Sequence, residues 1–399
     1  MNLFKKLYCR IYQNIFQLAI PLMPYRQPQV ETSVNTIPNI LRIHGCSNPL
    51  LVTDKSINGL GLTKELEKAL TQNKITYTIY DETIPNPTIT NIENGVKIFL
   101  DKRCDSIIAF GGGSVMDCAK IIGARIVKPN KSVAKMKGLL KIGKKLPLLI
   151  AIPTTAGTGS ETTLAAVITD DATHHKYPIN DFCLIPKYAV LDYKNTLGLP
   201  PHITSTTGMD ALTHAVEAYI GGSTTRKTRK EAELATTLIV NNLPIAYTDG
   251  KNETARANML MASYHAGVAF TISYVGYVHA IAHSLGGRYG VPHGLANAII
   301  LPYVLEAYGT KIHKKLARLA RISGIAEEND STAVGALKFI AWIKETNKSM
   351  NIPTHIEQLK REDIPSLAKL ADAEANPLYP VPVLMNQKEL ERLYYKLLK

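Results

Sequence analysis

The chain predicts two domains, an α/β domain followed by an all-helical one, and three observations lead there. From about residue 38 to 195, short apolar runs alternate with longer amphipathic ones. After Pro200-Pro201 the strand signals thin out and helical periodicity takes over. At 399 residues the chain is long enough to build a core in each part. The division that follows is an N-terminal extension over 1–35, an α/β domain over 36–198 and an all-helical domain over 199–399.

Within the extension, Lys5, Lys6 and Arg10 alternate with Leu7, Ile11, Ile15, Phe16 and Leu18, an amphipathic helical pattern ended by Pro21 and Pro24. The long apolar centre of a secretory signal is missing. Such a helix suits a membrane surface, or packing on the body of the protein or a second subunit, and packing is the expectation. Next, Leu50–Thr53 reads as a strand, Thr63–Asn73 as a helix and Ile75–Tyr80 as a strand. A helix from about Thr88 to Leu100 leads to the strand Ser106–Phe110 and a helix from Ser114 to about Val127. Leu148–Ile152, Ala165–Thr169 and Tyr188–Leu191 are further strands. This alternation argues for a mostly parallel sheet covered on both faces by helices. Beyond the prolines, Ala211–Tyr219, Arg229–Val240 and Glu253–Phe270 read as helices.

Ligands of such sheets bind beyond the carboxyl ends of the strands. Two motifs stand there. Strand Ser106–Phe110 runs into Gly111-Gly112-Gly113, and a helix opens at Ser114. Glycines let a phosphate approach the backbone, and the free N–H groups of a helix start favour an anion. The spacing is not the usual GxGxxG, and a plain tight turn would read the same way. The second motif, Pro153-Thr154-Thr155-Ala156-Gly157-Thr158-Gly159-Ser160-Glu161, follows the next strand and offers hydroxyls for sugar and phosphate oxygens. Two such loops on one sheet edge favour a dinucleotide. Asp54, after an early strand, could accept from an adenosine ribose and repel the extra phosphate of NADP, which favours NAD. A helix cap would also explain it.

The helical half carries the histidines. Asp210 and His214 stand four apart, as do His279 and His283, and His293 follows. Positions i and i+4 share a helix face and can reach one ion. Histidines in apolar helices are costly unless hydrogen-bonded or metal-bound. Three imidazoles and a carboxylate suit Fe(II), Zn(II) or another late first-row metal, not Ca(II) or Mg(II). His44, His174, His175, His202, His265, His313 and His355 lack this context and read as surface or core residues, although His265 lies in a similar apolar helix.

Composition narrows the class further. Hydrophobic residues make up 45% and charged residues 20%, which argues against disorder, and no segment is apolar for long enough to span a membrane. The five cysteines form no CxxC pair and fit a reducing cytoplasm. Net charge is +13, much of it from seven lysines between Lys128 and Lys145. Without interleaved aromatics or arginine, this run reads as a solvated face, so no nucleic-acid partner is expected.

GGGSVMDCAK (111–120), PTTAGTGSE (153–161), GMDALTHAVEAY (208–219) and HAIAHSLGGRYGVPHG (279–294) together resemble the iron-containing (group III) alcohol dehydrogenase family. The likeness runs from about Leu50 to the end of the chain and leaves the extension unexplained. It implies a dehydroquinate synthase-like fold, an α/β dinucleotide-binding domain plus an all-helical metal-binding domain. It further implies Fe(II) on Asp210, His214, His279 and His293, with Zn(II) as the other metal these donors accept. His283 matches a family histidine near substrate and nicotinamide, and a proton relay is its expected part. Gly112, Gly113 and Ser114 would bind the NAD pyrophosphate, and Thr154, Thr155 and Thr158 would lie along the cofactor. Asp117 would stand near its ribose or nicotinamide end, and Lys176 would border the pocket. Where many members have His-Pro, this chain has His283-Ser284, with bulky Tyr274, Tyr277 and Tyr289 nearby, which leaves the substrate open.

The activity implied is metal-dependent, reversible hydride transfer between a primary alcohol or aldehyde and NAD(H), in a cytoplasmic homo-oligomer without stable membrane insertion. A glycerol dehydrogenase is the nearest other reading. Dehydroquinate synthase chemistry would need more basic residues than Arg288 beside the histidines, and a metal hydrolase would not need the two cofactor loops. A non-catalytic protein that binds a membrane or polyanion through the lysine run or the N-terminal helix is the reading from another class.

Overall fold

The structure is a computed structural model that describes residues 1, 3–172 and 176–399. Asn2, Thr173, His174 and His175 lie outside the described residues, and with them the reading of His174 and His175 as ordinary residues. The chain forms two compact units, Pro24–Gly198 and Met1–Met23 with Leu199–Lys399. The stretch 1–35 therefore divides. Helix α1 (Leu3–Ala19) joins the helical unit, and strand β1 (Gln29–Glu31) joins the α/β unit.

In the α/β unit, α2 (Ile37–Ile43) precedes β2 (Pro49–Val52), and α3 (Lys55–Gly59) and α4 (Lys64–Gln72) lead to β3 (Thr78–Tyr80). Then come α5 (Ile89–Asp101), β4 (Ser106–Gly111), α6 (Gly113–Val127), β5 (Gly138–Leu139) and β6 (Leu148–Pro153). Strands β7 (Ala165–Thr169), β8 (Lys176–Asn180) and β9 (Tyr188–Val190) complete it. The main sheet has the order β1-β9-β6-β4-β2-β3, and every neighbouring pair is parallel. Its strands are apolar without interruption because both faces are covered. Leu50, Val52, Ile107, Ala109, Leu149 and Ala151 point into one core, with α5 and α6. Leu51, Ile108, Phe110, Ile150 and Ile152 point into the other, with α2 and α4.

Sheet order reverses between β2 and β4, since β3 continues on one side of β2 and β4 starts the other. That reversal opens a crevice at the carboxyl ends, where the glycine turn after β4 lies. Strand β7 departs from the expected parallel sheet. It pairs antiparallel with β8 in a separate three-stranded sheet, β5-β8-β7. Its half-buried, alternating pattern suits a sheet with one open face. Pro178 within β8 hides that strand in the sequence.

The helical unit contains α7 (Pro201–Ile220), α8 (Arg226–Thr248), α9 (Glu253–Ser273), α10 (Tyr277–Tyr289) and α11 (His293–Tyr308). It continues with α12 (His313–Ile322), α13 (Thr332–Ser349), α14 (Ile364–Ala375) and α15 (Gln387–Lys396). Helix α7 is the centre: α8, α9 and α11 all pack on it, and from Gly208 to Ile220 every residue is buried. Gly208 permits the approach of α8, since a β-carbon there would meet Leu243 at 2.3 Å.

Helix α1 lies on this unit by one face. Arg10 donates to the carbonyls of Val381 (2.7 Å) and Pro382 (3.0 Å), Gln13 donates to that of Tyr379 (2.7 Å), and Phe16 meets Tyr274 edge-on. The expected packing on the body thus accounts for that face alone. Among the described residues no single helix is long and apolar enough to cross a membrane. The pair α9 and α10 reaches that length and composition only together, bent by 100°, and both helices are mostly buried.

Candidate metal centre and cofactor loops

Helix periodicity sets Asp210 and His214 one turn apart on α7, while α10 brings His279 and the start of α11 brings His293. One ligand atom from each lies within 4.8 Å of all the others. Asp210, His214 and His279 are buried, and the His293 side chain is 37% exposed, so the cluster opens to solvent on the His293 side. Gly294 makes the approach of α11 to α7 possible. A β-carbon there would lie 2.5 Å from the Thr206 carbonyl oxygen and 3.4 Å from the Asp210 β-carbon.

The residues fit a divalent metal. Asp210 Oδ1, His279 Nε2 and His293 Nε2 lie 2.7, 3.3 and 3.1 Å from the Asn297 amide nitrogen, so three electron-pair donors face one small space. That amide has two hydrogens to share among three acceptors. The other ring nitrogen of His279, Nδ1, donates to Glu217 Oε2 at 2.6 Å, which leaves Nε2 as the inward lone pair. Glu217 itself accepts from the Gly276 and Val278 amides, each at 2.8 Å. Gly276 leaves the room for this, because a β-carbon would come within 2.7 Å of the carboxylate. Burial pushes the Glu217 carboxyl up to about 7, against the backbone amides of Gly276, Val278 and His279. Burial and the neighbouring imidazoles push His279 well below its ordinary value, so its ring stays neutral, as a ligand must.

His283 stands beside the cluster. Its ring centre is 5.9 Å from that of His279 and 5.2 Å from that of His293. Its Nδ1 is 2.6 Å from Glu374 Oε1, which also accepts from the Tyr379 hydroxyl at 2.6 Å. His265 is apart from all of these, with Glu231 against its Nδ1 at 2.5 Å. The three tyrosines near the His283-Ser284 departure are engaged elsewhere. Tyr277 bonds to Asn376 and Met385, Tyr289 donates to Asp363, and Tyr274 packs on Phe16.

In the α/β unit the glycine turn and the threonine loop abut. Gly111 pairs with Pro153 in the sheet, and the Thr154 amide donates to the Gly111 carbonyl at 3.2 Å. A β-carbon on Gly113 would press on Thr158 at 3.1 Å, and one on Gly112 would touch Thr155 at 3.6 Å. Gly112 caps α6, whose first amides open beside both loops. Ser114 Oγ accepts from the Asn86 amide, and Lys176 Nζ donates to Asn86 Oδ1 at 2.6 Å, so Ser114 and Lys176 meet through Asn86.

Both oxygens of Asp117 are taken, by the Ser160 hydroxyl at 2.9 Å and the Val167 amide at 3.0 Å. It holds the threonine loop from below. Asp54 caps α3, accepting from the Ile57 amide at 2.9 Å.

Sequence reasoning missed Glu217, Asn297, Glu374 and Lys120. Two had a signal: Glu217 continues the face of Asp210 and His214 at i+7, and Asn297 lies one turn after His293. Glu374 comes from a distant helix and had none. Lys120 is fully buried in α6 and bonds to Ser160 Oγ, Thr163 Oγ1 and the carbonyls of Thr163 and Ala165, at 2.8–3.1 Å.

Comparison with known proteins identifies a family over both units of the chain. A family model described as iron-containing alcohol dehydrogenase matches residues 28–193, and the Fe-containing alcohol dehydrogenase family C-terminal model matches 204–398. Alcohol dehydrogenase 4 of Saccharomyces cerevisiae is 38% identical over 330 residues, 82% of this chain and 85% of the yeast protein. The NAD-dependent methanol dehydrogenase of Bacillus methanolicus is 36% identical over 341 residues, 85% of this chain and 89% of that one. A crystal structure of a 1,3-propanediol oxidoreductase superposes with a TM-score of 0.89 at 35% identity, covering 93% of this chain and 98% of that one.

Proposed function

The chain belongs to the iron-containing alcohol dehydrogenase family, and on that premise we propose that Asp210, His214, His279 and His293 hold its metal. It is an NAD-dependent oxidoreductase that moves hydride between alcohols and aldehydes. The observation that carries the assignment is the convergence of four ligand atoms within 4.8 Å, with the His279 tautomer fixed by Glu217. Fe(II) is the metal of choice, and Zn(II) accepts the same donors. The substrate is a small primary alcohol, diol or the matching aldehyde, in keeping with relatives named for methanol and 1,3-propanediol. The enzyme works in the cytoplasm, in keeping with five unpaired cysteines.

When bound, the divalent ion supplies Lewis acidity to the substrate oxygen and NAD supplies the hydride acceptor. The side chains divide the remaining work. Glu217 holds His279 in one tautomer and offsets positive charge gathered on the ring. His293 leaves the cluster open on the side from which a small substrate enters. His283 takes up the hydroxyl proton at Nε2 and passes it to solvent, while Glu374 at Nδ1 stabilises the imidazolium. In the α/β unit, Gly112, Gly113 and Ser114 present α6 amides to the pyrophosphate, and Thr154, Thr155 and Thr158 supply hydroxyls along the dinucleotide. Asp117 acts through the threonine loop, and Lys176 through Asn86 and Ser114. Asp54 faces the adenosine ribose with the carboxylate that also caps α3, and so prefers NAD over NADP.

Appearance of NADH after anaerobic loading with Fe(II) or Zn(II), across short primary alcohols and diols, tests this reading. Metal-dependent turnover is expected, and Asp210→Ala and His279→Ala should abolish it. Turnover that survives in either variant would remove that residue from the ligand set. His283→Asn should lower kcat by about a hundredfold or more and alter its pH profile. Full kcat with an unchanged profile would end the relay assignment.

A further inference from the structure

Helix α1 is oriented against the usual rule for a surface helix. At 3.6 residues per turn its body-facing side is Cys9, Gln13 and Phe16, and Cys9 and Gln13 are buried. The opposite side carries Leu3, Phe4, Leu7, Ile11, Ile15 and Leu18, spread over an arc of roughly 120°. All six are at least half exposed, Leu3 and Leu18 at 78% and Phe4 at 85%, and Leu22 just beyond the helix is exposed at 86%. Apolar side chains in such an array normally face a core, and here they face outward. They form a ridge about 23 Å long, at 1.5 Å per residue.

The borders of the ridge are basic. Lys6 and Arg10 flank one side and Lys5 the other, and no acidic side chain occurs before Glu31. Arg10 and Lys5 also tie the helix down, through the carbonyls of Val381 and Pro382 and an ion pair with Asp372 at 2.7 Å. Their alkyl stems therefore run between the body and the outer face. Tyr8 and Tyr12, both exposed, follow one border of the ridge, where amphipathic rings favour a boundary between headgroups and acyl chains.

From this arrangement we infer that α1 docks the enzyme on an anionic lipid surface. The six apolar side chains enter the outer acyl region and the exposed Lys6 meets phosphate headgroups, while Arg10, whose partners on the body are uncharged, adds its positive charge beside them. The helix lies in the plane of the surface and does not cross it, since its apolar residues occupy one side only. Charge decides between a membrane and a second copy of this chain. A two-fold contact of α1 with α1 would join two basic surfaces with no carboxylate on the helix to pair with them, whereas an anionic surface pairs with them. The helix lies outside the stretches matched by the family models, so docking adds location without altering the reaction.

Cosedimentation of the full-length, metal-loaded enzyme with vesicles tests this. Equal parts of phosphatidylglycerol and phosphatidylcholine should bind it, and phosphatidylcholine alone, or high salt, should weaken binding by about tenfold or more. A Leu7→Gln/Ile11→Gln/Ile15→Gln variant should lose at least about tenfold in partitioning and keep full dehydrogenase activity in solution, which also shows that it folds. Wild-type enzyme that stays in the supernatant with anionic vesicles would overturn the inference. So would a triple variant that binds as tightly as the wild type. A triple variant whose mass halves by light scattering, when the wild type ignores vesicles, would assign the ridge to self-association instead.

Discussion

Glu217 shows how much of the metal centre rests on one side chain that touches no metal. Its carboxylate receives two backbone amides at the start of α10 and the Nδ1–H of His279, so it fixes the helix start and the ligand tautomer together. Glu217→Gln keeps the shape but offers one acceptor oxygen in place of two. Metal affinity, measured by competition with a chromophoric chelator, should fall about tenfold to a hundredfold. Unchanged affinity would mean that the two amides alone orient α10. The spacing of Asp210 and His214 made their place in the cluster legible because helical periodicity is written directly in sequence. Asn297 and Glu217 obey the same periodicity but carry residue types with many ordinary uses. Glu374 reaches His283 only through the packing of α14 on α10, which no local pattern encodes.

At the scale of elements, the α/β half was legible where strands were long and buried on both faces. Strands β4 and β6 lie within one residue of their expected bounds, because an apolar run stopped by glycine or proline has few other readings. Strands β1 and β8 were not. One is three residues long and the other contains proline, so neither forms a periodic signal. The threonine loop was legible as a motif, but its support was not, since Lys120 lies on α6 and bonds across to residues 160–165. Burial pushes this ammonium down to about 8 from its ordinary 10.5. Between those values the unfolded chain holds a proton that the folded chain has released, so this group makes stability rise with pH. Denaturant unfolding of wild type and Lys120→Met, compared from pH 8 to 10, should show the difference moving in favour of wild type by up to ~1 kcal/mol per pH unit. A difference that stays flat would place the lysine's folded pKa at its unfolded value.

At the scale of the molecule, the two sets of binding residues belong to different compact units. The proposed metal ligands come from α7, α10 and α11, and the loops proposed for the pyrophosphate follow β4 and β6. Each ligand should therefore stabilise mainly the elements that hold it. A metal that binds the folded chain and not the unfolded one adds about 4 kcal/mol at a thousandfold excess over Kd, and its removal returns that amount. Without it, one carboxylate and the imidazoles crowd a space into which the Asn297 amide points. Hydrogen exchange by mass spectrometry separates the two effects. Chelation of the metal should deprotect residues 201–220 and 277–308 most strongly, while NAD should protect residues 106–127 and 148–163. Metal-dependent protection confined to the β-strands would remove the ion from the helical unit, and with it the ligand set proposed here. Protection by NAD that appeared only after metal loading would instead show positive coupling between the two sites, and by linkage NAD would then tighten the metal by the same factor.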